Sequence, residues 1–116
     1  DSWQAQGCND RIQLAELAAE LNRRICAAHM AAGVTIEDPA STRVEVDVTI
    51  AGDTTIHPWT SLRGETSIGS WCEIGPGTTL RDVRVGSGSV LPATWGESVD
   101  LPADTMVEPF SVIGRQ

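Results

Sequence analysis

The chain has 116 residues, a formal net charge of −8 and only 4% aromatic residues. Its length fits one domain with an appendage. Its acidic balance argues against nucleic acid as a partner, because phosphate binding requires a basic surface. No run of about 18 apolar residues is present, so the sequence predicts no membrane span, and the first residues carry no signal-peptide pattern.

The three cysteines, Cys8, Cys26 and Cys72, are odd in number and far apart. None belongs to a Cys-x-x-Cys pair, so we predict neither a zinc site nor a disulfide framework. A reducing cytoplasm is the simplest location, and nothing in the sequence calls for a cofactor.

The first third of the chain predicts an irregular lead over residues 1 to 8, followed by a helix. Asp10 and Gln13 have the spacing of a capping box, and Gly33 is a typical residue at C′, so we place the helix from Asp10 to Ala32. Its single apolar stripe needs a partner, either the rest of the chain or a neighbouring copy; the stripe is Leu14, Leu17, Leu21, Ile25 and Ala28. His29 lies near the helix end, where a positive charge suits the dipole.

Residues 34 to 43 form a connection with a turn at Asp38-Pro39, after which the sequence repeats every six residues. One column of the repeat is branched aliphatic: Val44, Ile50, Ile56, Leu62, Ile68, Ile74 and Leu80. A second column, four positions later, is small or β-branched: Val48, Thr54, Thr60, Thr66, Cys72 and Thr78. This period predicts a solenoid of very short strands with one large and one small side chain pointing inward.

The repeat changes after Leu80. The register slips by one residue, is lost near Trp95, and returns at Leu101, Val107 and Ile113. Trp95 falls where the small inward column belongs and is too large for it, so we predict a loop that leaves the solenoid between Ala93 and Asp100. A β-sandwich with accidental spacing is the alternative, disfavoured because two columns agree.

The six-residue repeat with its two inward columns resembles the left-handed parallel β-helix of the hexapeptide-repeat acyltransferases, in which three hexapeptides make one triangular coil. The resemblance implies a mainly β fold: a short left-handed parallel β-helix of about four coils over residues 34–116, preceded by one long α-helix within residues 1–33. It also implies a homotrimer with sites in the clefts between subunits.

A more specific resemblance lies in the runs Gly7 to Leu17, Ala32 to Ile36, Thr55 to Pro58 and Pro109-Phe110. They are similar to the hinge and first coils of the bacterial bifunctional N-acetylglucosamine-1-phosphate uridyltransferase/glucosamine-1-phosphate acetyltransferases, in particular the actinobacterial ones. The match covers nearly the whole chain.

The resemblance implies that neither parental reaction runs in this chain alone. Asn9 matches an asparagine that helps to hold magnesium in the uridyltransferase site, but the partner aspartate and nucleotide loop lie upstream, so a helix N-cap or hinge role is favoured and no metal site is predicted. The resemblance places the acetyltransferase's basic histidine, its sugar-phosphate lysine and arginine, and its coenzyme A coils beyond Gln116 or at its edge. Arg115 is displaced by one position from the family's arginine.

Three tryptophans are the best clue to a new activity. Trp59 stands where the family has glycine, and Trp59 and Trp71 are predicted to point outward; subunit packing is the favoured interpretation, and a ligand platform that also includes Trp95 is the alternative. His57 is the candidate acid–base residue, although a structural role at a coil corner is favoured. The six-residue period places three further polar residues on coils near His57, where they could complete a polar site: Glu73, Asp53 and Arg63. Cys72 is predicted to be a buried, inert thiol.

Two functions remain open. The first is a remodelled small-molecule enzyme, acting on a sugar nucleotide or a specialised metabolite between trimer subunits. The second is a non-catalytic trimerising or scaffolding module, or a fragment of the bifunctional enzyme. The substituted tryptophans favour the first and the missing motifs favour the second; we lean slightly to the first.

Overall fold

The computed structural model describes the backbone of residues 2–114 and the side chains of residues 10–114. A helix, α1, runs Ser2–Ala31, so the predicted irregular lead is wrong. No proline interrupts the lead, and its alanine and glutamine residues favour a helix that continues through the expected cap at Asp10. The side chains of Cys8 and Asn9, and all of Arg115, lie outside the described residues.

After α1 the described chain forms very short strands and one 3₁₀ turn, Pro39–Ser41. The strands are β1 Thr35–Ile36, β2 Arg43–Val44, β3 Thr49–Ile50, β4 Thr55–Ile56, β5 Ser61–Arg63, β6 Ser67–Ile68, β7 Glu73–Ile74, β8 Thr79–Arg81, β9 Arg84–Val85, β10 Val90–Leu91, β11 Trp95–Glu97, β12 Asp100–Leu101 and β13 Val112–Gly114.

These strands build three parallel sheets that form the three faces of a solenoid. Face A has the order β1-β4-β7-β10, face B the order β2-β5-β8-β11-β13, and face C the order β3-β6-β9-β12. Up to β12, each strand pairs with the third strand after it, so three strands complete one coil. Four coils plus one strand match the predicted length, and the predicted hexapeptide solenoid is confirmed.

The two predicted columns fill the solenoid. Large aliphatic side chains at the centre of each face are buried, including Ile56, Leu62, Ile68, Ile74, Leu80 and Leu91. Ile50, predicted to be fully inside, is only half-buried, because β3 is an edge strand with a neighbour on one side alone.

Several buried hydroxyls of the small column join two coils. Thr54 Oγ1 donates to the carbonyl of Gly69 at 2.6 Å and accepts the amide of Cys72 at 3.0 Å. Thr78 Oγ1 donates to the carbonyl of Leu91 at 2.6 Å and accepts the amide of Thr94 at 3.2 Å. A buried threonine therefore satisfies turn groups that the strand ladders leave unpaired.

The predicted loop around Trp95 is wrong. Residues 95–97 form strand β11, and Gly96 occupies the inward position between Leu80 and Ile113. A Cβ at Gly96 would lie 3.0 Å from both of those side chains, so any larger residue requires Leu80 and Ile113 to shift. Thr94 takes the buried small position, and Trp95 points outward.

The helix meets the solenoid only through its last turns. Gly33, with φ +103°, ends it as predicted: the amides of Gly33 and Val34 donate to the carbonyls of Met30 and His29, the Schellman arrangement. Cys26 is fully buried against the solenoid, whereas Leu14, Leu17 and Leu21 are exposed. The predicted stripe is therefore uncovered over most of its length. Among the described residues, no helix is long and apolar enough to cross a bilayer.

Candidate functional site

Face A carries a cluster of three charged side chains that come from three successive coils. Ile36, Ile56 and Ile74 align in the sheet, so Glu37 and His57 both follow an aligned isoleucine and Glu73 precedes one. The Nδ1 atom of His57 lies 2.8 Å from Glu37 Oε1, and its Nε2 atom lies 2.6 Å from Glu73 Oε1. The imidazole thus bridges β1 and β7 across β4.

This arrangement favours a protonated histidine. Partial burial is the largest single effect on the pKa of His57 and lowers it, but the hydrogen bonds and charges of Glu73 and Glu37 together outweigh it and raise the pKa above 6.5. An imidazolium whose two N–H groups are both engaged has no lone pair with which to accept a proton. The cluster is therefore poorly suited to general-base catalysis.

The exposed tryptophans stand at the edges of face A and on face B. Trp71 lies in the corner before β7 and Trp59 in the corner after β4; their side chains are 70% and 73% exposed. Both adopt a left-handed backbone, with φ +60° and +64°. Trp95 lies on face B and is 45% exposed. The outward orientation predicted for Trp59 and Trp71 is confirmed, and Trp95 shares it.

The structure brings only part of the predicted polar site together. Glu73 reaches His57, as period arithmetic indicated. Arg63 instead pairs with Glu45, at 3.3 Å, at the end of β5 on face B. Asp53 lies in the corner before β4, where its amide donates to the carbonyl of Gly33. Arg63 and Asp53 therefore do not complete a site with the histidine.

Glu37 was missed by sequence reasoning. The connection from Val34 to Arg43 was interpreted as irregular, yet Thr35–Ile36 is a strand paired with β4. The signal was present, because Ile36-Glu37 has the same pattern as Ile56-His57. One coil of three hexapeptides spaces aligned residues 18 apart, but Ile36 and Ile56 are 20 apart because this coil contains two additional residues. The irregular spacing hid the alignment.

A groove beside the cluster separates α1 from the 3₁₀ turn. It has a volume of about 690 Å³ and is bordered by Asn22, Arg23, Arg43 and Trp59, among others. The turn Pro39–Ser41 also lines it. The guanidinium group of Arg23 is already paired with Glu20, at 2.6 Å. The indole ring of Trp59 and the guanidinium group of Arg43 are chemically suited to an aromatic anion.

The remaining candidates have structural environments. Cys72 is buried, and its Sγ atom lies within hydrogen-bond distance of the carbonyl oxygens of Ser70 and Gly86. Both observations agree with an inert thiol. Burial lowers the pKa of His29, so the helix-end charge predicted for it is disfavoured. No group of three or more His, Cys, Asp or Glu residues suited to a metal ion occurs among the described residues.

The fold and its repeat define a parallel β-solenoid of the hexapeptide type. The sequence pattern of the family described as bacterial transferase hexapeptide (six repeats) matches residues 47–82, which include strands β3 to β8. These residues include His57, Trp59, Trp71 and Glu73, but not Glu37.

The particular relatives are proteins named Bifunctional protein GlmU. The chain is 55% identical over 107 residues to that of Mycolicibacterium gilvum (strain PYR-GCK), which covers 92% of this chain and 22% of the relative. It is 53% identical over 113 residues to that of Mycobacterium tuberculosis (strain ATCC 25177 / H37Ra), which covers 97% and 23% respectively. The resemblance read from the sequence is confirmed, and the chain spans less than a quarter of these relatives' length.

Proposed function

We propose that this chain is a structural, self-assembling segment in which a helix leads into a β-solenoid and three copies associate. The observation that carries the proposal is the exposure of Trp59, Trp71 and Trp95 on a hydrogen-bonded solenoid. A rigid surface cannot rearrange to bury large apolar side chains of its own. Surfaces that expose such side chains are typically covered by another chain. The exposed stripe of α1 adds apolar area to be covered.

A closed trimer fits this distribution better than a two-fold dimer. The tryptophans lie on two corners and one face, so a contact between unlike surfaces is needed to cover them. Repeated three times around an axis, such a contact closes and leaves no surface free to polymerise. The charge of −8 per chain opposes association, but charges at the outer rim are screened within about 8 Å at physiological salt.

Light scattering at micromolar concentration tests the assembly. We expect a mass three times that of the 12.3 kDa chain. Trp95→Ser should shift the equilibrium toward monomer, whereas the matched control Trp95→Phe, which keeps a large apolar ring, should not. A monomer that persists at high salt in the parent chain contradicts the proposal.

A small-molecule site is the second candidate, and the groove bordered by Trp59, Arg23 and Arg43 favours it. The resemblance of the sequence to the uridyltransferase/acetyltransferase family suggests a ligand of the sugar-nucleotide class. Titration with a uridine sugar nucleotide should quench indole fluorescence in the parent and in Trp71→Ser, but not in Trp59→Ser. Equal quenching in all three would exclude this groove as the site.

Catalysis is not part of the favoured proposal. His57 is the best acid–base candidate, and both of its ring nitrogens are engaged by Glu37 and Glu73. We expect the purified chain to catalyse neither uridyl transfer nor acetyl transfer, and turnover of either above a blank without protein would contradict this.

A reducing cytoplasm and the absence of a cofactor belong to the same proposal; the free, buried thiols Cys26 and Cys72 are compatible with that location.

A further inference from the structure

We propose that Glu37, His57 and Glu73 form a proton-dependent clamp that holds the first strand of the solenoid, and with it the end of the helix, to the coils behind it. The contacts that define this clamp lie within one chain, so the argument for it uses neither assembly nor ligand binding. It rests on the hydrogen-bond geometry of the three side chains and on the position of Glu37 at the edge of face A.

The geometry requires two N–H donors on one ring. Ionised carboxylates only accept hydrogen bonds, and both ring nitrogens of His57 lie within hydrogen-bond distance of a carboxylate oxygen, at 2.8 Å and 2.6 Å. Neutral imidazole has one N–H and one lone pair. Loss of the ring proton therefore leaves one carboxylate facing a lone pair, and one of the two links must open.

The Glu37 link is the one expected to open. Its distance is the longer of the two, and Glu37 directly follows β1, an edge strand of two residues that pairs only with β4. Glu73 belongs to β7, which is paired on both sides. Because α1 contacts the solenoid through β1, β2 and the 3₁₀ turn, release of Glu37 loosens the junction between helix and solenoid.

No other charged group competes for the ring among the described contacts. Glu37 directly follows β1, His57 directly follows β4, and Glu73 lies in β7. Strands β1, β4 and β10 themselves contain no charged residue. The pKa of His57 is raised in the folded chain, so its contribution to stability is fully present below the ordinary value of 6.5 and is lost as pH rises through the folded value.

Hydrogen exchange of the full chain, followed by NMR from about pH 5 to about pH 8.5, tests the clamp. The readout is the amide of Glu37, which donates to the carbonyl of Ile56 at 3.0 Å. After correction for the intrinsic exchange rate, we expect its protection to fall about fivefold with a midpoint at the pKa of His57. The amide of His57, bonded to Ile74, should keep its protection.

Variants separate the clamp from a general loss of structure. Glu37→Gln and Glu73→Gln should each lower the pKa of His57 in the ring titration, and His57→Gln should abolish the pH dependence at Glu37. Glu45→Gln, a matched control at the ion pair with Arg63, should change neither the pKa of His57 nor the pH dependence of protection at Glu37. His29→Gln removes the second histidine and should leave the midpoint in place. Protection at Glu37 that is independent of pH, or a midpoint that disappears with His29, would overturn the proposal.

Discussion

At the scale of single residues, the corners of the solenoid depend on a left-handed backbone. Stacked corner positions adopt it whether or not they are glycine: Trp59 and Ala93 share a corner with Gly77, and Trp71 shares one with Gly88. A Cβ in this region is costly, so the tryptophans are maintained against local strain. That strain strengthens the inference that the two indole rings contact something outside the chain.

Truncation of Trp59 should reveal the strain. We expect Trp59→Gly to be more stable than Trp59→Ala by about 1 kcal/mol in urea unfolding at matched concentration, because only glycine adopts φ +64° freely. At Trp95, a strand residue, the order should reverse, with Trp95→Gly less stable than Trp95→Ala by about 0.5–1 kcal/mol. The same order at both positions would mean that backbone conformation does not decide the outcome.

The inward aliphatic column predicts a second residue-scale result. Ile68 is 3% exposed, so Ile68→Asp buries a charge without a partner and should cost about 3–5 kcal/mol of unfolding free energy. Val46, which is 71% exposed, provides the control, because Val46→Asp should change stability by less than about 0.5 kcal/mol. Chemical denaturation measures both, and an Ile68→Asp variant as stable as the parent would contradict the inward assignment.

At the scale of elements, one helical side chain covers the open edge of face B. Strand β2 is the terminal strand of that face, and Asn22 completes its hydrogen bonds: Nδ2 donates to the carbonyl of Thr42 at 2.8 Å, and Oδ1 accepts the amide of Val44 at 2.9 Å. The amide group thus imitates the backbone of a further strand. The edge is thereby protected from pairing with another chain.

Removal of this cover should loosen the helix. Asn22→Ala leaves one buried donor and one acceptor unpaired, and we expect a loss of about 1–3 kcal/mol together with faster hydrogen exchange at Val44. Asn22→Asp retains the acceptor and should preserve protection at Val44 better than alanine does. Equal exchange at Val44 in all three proteins would show that the helix does not cap the edge.

At the scale of the whole molecule, charge and apolar area act in opposite directions. The chain carries 16 acidic and 8 basic residues, and the folded chain extends 57 × 35 × 20 Å, so the charges are spread over an elongated surface. The proposed self-association would bring like net charges together and bury exposed apolar groups. We expect burial to dominate once salt screens the charges.

Association should therefore strengthen with salt. We expect sedimentation equilibrium to show a lower dissociation constant at about 0.5 M than at about 0.05 M sodium chloride, since screening shortens the range of repulsion. An association driven by complementary ion pairs between copies would weaken instead. The direction of the salt effect thus distinguishes apolar contacts from ionic ones.

The sequence by itself determined the repeat, the two inward columns, the number of coils and the outward orientation of Trp59 and Trp71. These properties are periodic, and each coil imposes the same local choice between a large apolar, a small and an exposed residue. Only the tertiary structure decided which residues meet between coils, because turn lengths vary and shift the alignment. Glu37 reaches His57 across a spacing of 20 residues rather than 18, and Gly96 replaces an aliphatic because Leu80 and Ile113 fill its place. The exposed helix likewise follows from where α1 contacts the solenoid, which its own periodicity does not encode.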